Sequence, residues 1–277
     1  MSARRVRSRS GSPAGGHSEI GANRRQNRPQ RRRLVLEMLE DRRLLATNLW
    51  ANVPEAANYS LVYEKAIPVN SPGWNSGAVP YDVNNAADIT QPFDRIAYYW
   101  ELTKAGGGSD WVYVSVDAFT ADKAKIGIPN TASGAFFQQY LSNMNVASNV
   151  AGIVTGTGIA TGNIEFWPSN YGQANDKGVP NASASVFDFG DGGAGLTAGH
   201  GSMQIHNYDV DGSGPGTAGQ TLFGYSAWGA ARTSELGLGN QPSGNPDWTF
   251  NTANISTYTS RTLQVLVRQV NTAVPPK

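Results

Sequence analysis

The chain has no cysteine among its 277 residues. That excludes a disulfide framework, a thiolate metal site and a cysteine nucleophile. The fold must therefore stand on its hydrophobic core, which a chain of this length can build. Histidine is nearly as scarce, limited to His17, His200 and His206, and an imidazole becomes catalytic only beside a base, nucleophile or metal. Charged residues make up 16% of the chain, against roughly 25% in ordinary soluble domains. No apolar run approaches the ~20 residues of a transmembrane helix. The run Leu34-Val35-Leu36 stops at Glu37, short of the roughly 7–15 apolar residues of an ordinary secretory signal. The Gly-x-Ser-x-Gly elbow of serine hydrolases is missing as well. Its nearest approaches, Gly199-His200-Gly201-Ser202-Met203 and Gly224-Tyr225-Ser226-Ala227-Trp228, lack the second glycine.

What is present divides the chain in two. Residues 1–46 hold twelve Arg and no Lys against four acids, a balance of +8, while the rest carries ten basic and seventeen acidic residues, a balance of −7. The segment Ser2 to Arg33 is rich in Arg, Ser, Gly and Asn with few large apolar residues, so it is expected to be disordered. No aromatic residue is interleaved with its arginines and no nucleic-acid module follows, so nucleic acid is not the expected partner. Leu34, Met38 and Leu45 fit a short amphipathic helix. The expected organisation is a basic export segment over 1–46 and a single domain over 47–277.

That domain reads as all-β. In Arg95-Ile96-Ala97-Tyr98-Tyr99-Trp100-Glu101-Leu102, alternation places Ile96, Tyr98, Trp100 and Leu102 on one face and Arg95 and Glu101 on the other. Gly106-Gly107-Gly108-Ser109-Asp110 breaks the strand and Trp111 to Val116 resumes it, the pattern of a hairpin. A last strand runs from Arg261 to Arg268, with Leu263, Val265 and Val267 inward and Thr262 and Gln264 outward. Shorter strands are expected at Tyr59–Ala66, Val79–Val83, Phe136–Met144, Asn163–Trp167, Val186–Phe189, Ser202–Tyr208, Thr221–Trp228 and Leu236–Leu238, and a helical turn or two within Thr120 to Ile128. Many short strands with Gly- and Pro-rich connections predict an antiparallel β-sandwich of jelly-roll character.

Four groups of residues are candidates for function. Asp209-Val210-Asp211-Gly212-Ser213-Gly214 places oxygen at alternate positions, with Gly at the sixth, like the start of a calcium loop. Asp209, Asp211 and Ser213 are the expected ligands, although the twelfth position is Gln220 instead of an acid; a turn closed by local side-chain bonding accounts for the same residues. Ser202, Gln204 and His206 align on the face opposite Met203 and Ile205, a polar row that is either a binding surface or a solvated strand. Glu165, flanked by Phe166 and Trp167, is the candidate acid of a two-carboxylate glycosidase, with Asp117, Asp188 and Asp191 as possible partners and a structural hydrogen-bonded acid as the alternative. Seven Trp are many for this length, and sugar rings stack their C–H faces on aromatics while their hydroxyls bond amides and carboxylates. Trp74, Trp167, Asn170, Tyr171 and Trp248 pair aromatics with such groups in loops, whereas Trp100 and Trp111 read as core.

Two resemblances add to this reading. Residues Leu36-Glu37-Met38-Leu39-Glu40-Asp41-Arg42-Arg43-Leu44-Leu45-Ala46 meet every fixed position of the pattern Leu-Glu-x-Leu-Glu-x-Arg-x-Leu-Leu-Ala. They resemble the N-terminal motif of planctomycete extracellular proteins, which implies a bacterial secreted or cell-surface protein. The passages Phe93–Tyr99, Val114–Thr120, Gly162–Trp167 and Gly201–Asn207 resemble an uncharacterised module of planctomycete secreted proteins. Such proteins are sometimes labelled sialate O-acetylesterase, a label that follows the module's occurrence beside that enzyme's catalytic domain. The chain lacks that enzyme's serine signature, so the resemblance implies an accessory, glycan-related module and carries no catalytic residue across. The resulting expectation is a secreted, non-catalytic module that binds a polysaccharide or cell-surface glycan with the aid of Trp74, Trp167, Asn170, Tyr171, Gln204, His206 and Trp248. The alternatives are a carbohydrate-active esterase or glycosidase and a structural protein of the cell envelope.

Overall fold

The structure is a computed structural model that describes residues 47–67, 78–129, 137–167, 202–213, 219–226, 235–239 and 257–270. The chain falls into two units, Met1–Thr47 and Asn48–Lys277, and apart from Thr47 all described residues belong to the second. The arginine-rich segment, the motif over 36–46, Trp74, Asn170, Tyr171, Asp188, Asp191, His200 and Trp248 lie outside the described residues, as does the strand expected over Val186–Phe189.

Ahead of the first strand come a short helix, α1 (Thr47–Asn52), and a 3-10 turn (Pro54–Asn58). Pro54 suits the first position of that turn because its missing N–H would find no partner there. Among the described residues twelve strands follow: β1 (Ser60–Ala66), β2 (Val83–Asn84), β3 (Phe93–Lys104), β4 (Ser109–Asp117), β5 (Phe137–Leu141), β6 (Met144–Ser148), β7 (Gly156–Ile159), β8 (Gly162–Trp167), β9 (Ser202–Asn207), β10 (Gln220–Ser226), β11 (Glu235–Leu238) and β12 (Tyr258–Gln269). They form two antiparallel sheets, one ordered β2-β1-β12-β3-β4-β6-β7 and the other β11-β10-β9-β8-β5. The fold is the β-sandwich that the alternating pattern predicts. The chain changes sheet after β4, β5, β7 and β11, so pairing across the sandwich is set by contacts far apart in sequence.

Between the sheets lies the main core. Ile96, Tyr98, Trp100 and Leu102 all point into it and are fully buried, as are Val112, Val114 and Val116 of β4 and Leu263, Val265 and Val267 of β12. Aromatic rings join the two sheets: Trp100 lies 5.0 Å from Tyr225 and Tyr98 lies 5.8 Å from Phe223. Such tilted pairs contribute about 0.5–1.5 kcal/mol each beyond their buried area. A second, smaller core sits on the opposite face of the larger sheet, where Leu49, Val53, Ala56 and Tyr59 cover Ala97, Tyr99, Tyr113 and Leu266. That covering layer has no signature in the sequence, because α1 and the 3-10 turn are each too short to show a helical period.

Several expectations are refined. The strand expected over Val79–Val83 is only Val83–Asn84, and Phe136–Met144 divides into β5 and the start of β6. The edge strand β7 was not anticipated. The turn expected within Thr120 to Ile128 is the 3-10 turn Lys123–Lys125, capped by the Asp122 side chain, which accepts from the Ala124 amide. Arg95 lies on the face opposite Ile96, as alternation requires, yet it is buried. Its guanidinium donates to Ser115 Oγ at 2.7 Å, to the Ser115 and Asn143 carbonyls and to Asp117 at 2.9 Å. Among the described residues no helix is long and apolar enough to cross a membrane, a statement that does not bear on β-barrels.

Candidate functional site

The alternation that turns Val112, Val114 and Val116 inward turns Trp111, Tyr113 and Ser115 to the other face of β4. On the neighbouring strand β6, Asn145 lies opposite Ser115 and Ala147 opposite Tyr113. The 3-10 turn brings Glu55 over this surface, and the edge strand β7 borders it. Between them is a cleft of about 360 Å³, lined by Asn52–Glu55 on α1 and the turn, by Trp111 and Tyr113, by Asn145–Ser148, and by Thr155–Thr157. This volume lies within the range of small-ligand sites, about 300–1,000 Å³. Trp111 is half-buried, its ring tilted against Tyr99 at 6.0 Å. Tyr99 is fixed in turn by the Asn52 amide, which donates to its hydroxyl at 2.9 Å.

Glu55 is held in place by a directed hydrogen-bond chain. Asn145 Nδ2 donates to both carboxylate oxygens, at 3.0 and 3.1 Å, while Asn145 Oδ1 accepts from the Gly158 amide at 3.1 Å. The Tyr59 hydroxyl donates to Glu55 Oε1 at 3.0 Å and lies 2.7 Å from Ser115 Oγ. Ser115 Oγ accepts from Arg95, so the Ser115 hydroxyl hydrogen is free to point at Tyr59. The polarity therefore runs from a buried cation through two hydroxyls to a carboxylate on the cleft, and charge-assisted bonds of this kind are the stronger ones. Burial holds the Tyr59 and Tyr113 phenols above their ordinary pKa, with the Glu55 charge adding to the shift, so both stay neutral.

Chemically, the cleft offers the half-buried Trp111 ring beside the buried Tyr113, one carboxylate acceptor and the hydroxyls and backbone of Thr155–Thr157. Ser148 is already committed, since its hydroxyl donates to the Trp111 carbonyl and accepts from the Val150 amide. Glu55 is the one carboxylate among the described lining residues, whereas glycoside hydrolysis by the usual route needs two. Stacking and hydrogen bonding are what this lining supplies.

The described residues among those singled out from sequence fall elsewhere. Gln204 and His206 do lie on the face opposite Met203 and Ile205, but all four are buried, at 1%, 0%, 0% and 0% exposure. The polar row is an internal network, closed to solvent. Its centre is Glu165, itself 1% exposed, which accepts from Gln138 Nε2 at 2.5 Å, Asn163 Nδ2 at 2.7 Å and Gln204 Nε2 at 3.0 Å. Because Asn163 turns its amide nitrogen to the carboxylate, its oxygen faces His206 Nδ1 at 2.7 Å, and that ring nitrogen carries the hydrogen. Cross-strand register assembles this set, with Gln138 opposite Glu165 and Glu165 opposite Gln204. Asp117, the described candidate partner of Glu165, is exposed and bound instead to Arg95 and to the Asn143 amide.

Asp211 and Ser213 close a local turn, while the Asp209 amide donates to Asn207 Oδ1 at 3.1 Å. Asp211 Oδ1 accepts from the Ser213 amide at 2.9 Å and from the Ser213 hydroxyl, bonds that hold the Asp211 carboxyl below its ordinary pKa. Gln220, at the twelfth position, is buried and turned to the 150s loop, donating to the Gly152 carbonyl at 2.6 Å and accepting from the Val154 amide. Among the described residues no group of three or more His, Asp or Glu side chains is placed to hold a metal ion. Trp167 closes β8, and only its place in the strand is described.

Trp100 is core, as expected. Trp111 is half-buried against the second core and also lines the cleft, and the sequence carried the signal, since it shares the odd-numbered face of β4 with Tyr113 and Ser115. Glu55 and Asn145 were missed because their pairing spans 90 residues and neither belongs to a motif. Compared with protein-family models, curated proteins and solved structures, the chain matches none, and its function is read from its own residues.

Proposed function

We propose that the chain is a secreted, non-catalytic module that binds a polysaccharide or cell-surface glycan in the cleft beside Trp111. One observation carries the reading: a half-buried Trp111 ring and a fixed Glu55 carboxylate face the same 360 Å³ space, the pairing of apolar face and hydroxyl acceptor that a sugar ring requires. Export to the bacterial cell surface is supported by the likeness of residues 36–46 to the extracellular-protein motif. The absence of cysteine leaves the fold indifferent to the redox state of that compartment.

Binding, not turnover, is supported by the single carboxylate of the cleft lining and by the enclosure of Glu165. The test is a glycan array probed with the full chain and with Trp111→Ala, beside assays for released acetate and reducing sugar. The expected result is retention on one class of glycan, reduced in the variant, with no release. Hydrolysis that Glu165→Gln abolishes would replace this reading with an enzyme. Self-assembly with neither binding nor release would replace it with a structural envelope role.

A further inference from the structure

We infer that the cleft selects uncharged sugars against acidic ones, and that Glu55 is the selecting group. This rests on the binding proposed above and adds the ligand class to it. Among the described residues the lining contains no Lys, Arg or His, and Glu55 is its one acid. A ligand carboxylate or sulfate brought against Trp111 would meet a negative charge without a cation to offset it. The nearest guanidinium on the hydrogen-bond chain, Arg95, is already bound to Asp117 at 2.9 Å and stands behind Ser115 and Tyr59. Arg268, whose guanidinium also senses Glu55, is bound to Asp94 at 2.7 Å.

Glu55 can turn neither away nor into a donor without breaking its supports. Asn145 spans both oxygens and is itself anchored to Gly158 through Oδ1, and Tyr59 fills one side of Oε1. Asn145 is thus a positioning residue and Glu55 the contact. Among the described residues Oε2 accepts from Asn145 alone, which leaves it lone-pair capacity for a further donor on a residue that lines the cleft. A sugar hydroxyl can donate there, whereas a carboxylated sugar is rejected by like charge. The excess of seventeen acidic over ten basic residues beyond residue 46 adds a weaker long-range repulsion in the same direction.

The experiment uses soluble glucan, mannan and galactan, each paired with its carboxymethylated form, titrated calorimetrically into the full chain. The neutral form of the bound polymer is expected to bind at least about tenfold more tightly than its acidic counterpart, as two like charges at contact distance require. Glu55→Gln narrows that gap to roughly threefold or less, while Glu55→Asp, which keeps the charge, retains it. Asp88→Asn removes an exposed acid outside the cleft lining and leaves the gap unchanged. A gap that survives Glu55→Gln, disappears in Glu55→Asp, or closes equally in Asp88→Asn overturns the assignment of Glu55 while leaving sugar binding intact. Equal affinity of the unaltered chain for neutral and acidic forms overturns the selection itself. If no polymer binds and Trp111→Ala changes nothing, the binding function falls as well.

Discussion

Replacing Glu165 by Gln tests what holds the outer face of the five-stranded sheet. The carboxylate accepts from three side-chain amides contributed by β5, β8 and β9. A glutamine in its place offers one carbonyl and one NH₂ group, so at least one amide would face another donor. Losing one bond to a charged acceptor costs about 1.5–3 kcal/mol, and a buried amide left unsatisfied costs about 1–3 kcal/mol more. Relief from burying a charge works the other way and is of several kcal/mol for an isolated ion, less when it is well bonded. With the carboxylate well bonded, a net loss of about 2–3 kcal/mol is expected. At 1% exposure solvent screening does not reduce it. Urea unfolding monitored by tryptophan fluorescence would show a midpoint lower by roughly 1 M, taking a slope of about 2–3 kcal/mol/M for a domain of this size. A midpoint shifted by less than about 0.2 M, or raised, would show that desolvation outweighs the amide bonds and would refute the reasoning.

Glu64 is buried on β1, and burial, with the nearby Asp82 charge, holds its carboxyl above the ordinary value even though Gln264 donates to it. The folded chain then keeps this proton to higher pH than the unfolded chain, so stability is lost as pH rises from the ordinary carboxyl range through the raised value. Glu64→Gln is expected to raise the melting temperature at neutral pH, with the difference vanishing in acid; a difference that grows in acid would contradict the sign. Gly127→Ala is expected to cost about 1–3 kcal/mol, because an added Cβ would run into the Tyr81 hydroxyl, which accepts from the Ile128 amide at 2.8 Å. Thermal melts unchanged within about 1 °C would show that Tyr81 moves freely.

How much of this was legible in the sequence depends on whether the deciding contact was local. The alternation in β3 and β12 set both strands and their inward faces, since period two follows from strand geometry alone. The side of Gln204 and His206 was legible for the same reason. Their burial was not, because an antiparallel sheet commonly leaves its outer face in water, and here that face is buried too. Trp111 was readable from its register with Val112, Val114 and Val116, but aromatic residues so often fill β cores that size outweighed parity. Glu55 reaches Asn145 across 90 residues, through a turn too short for any periodicity, and only the folded chain brings them together. The Asp209-x-Asp211-x-Ser213 spacing was legible as a turn, and the structure closes it with its own hydrogen bonds.

The most direct test of the account is the affinity of Trp111→Ala, measured calorimetrically against whichever glycan the unaltered chain retains, with the melting temperature of both proteins taken alongside. A stacked ring at the centre of a site is worth about 1–3 kcal/mol, so the dissociation constant should rise roughly 5- to 150-fold. Because Trp111 packs on the second core but not between the sheets, the variant should melt at a lower temperature and still be folded. Unchanged affinity in a folded variant would place the sugar elsewhere and contradict the account.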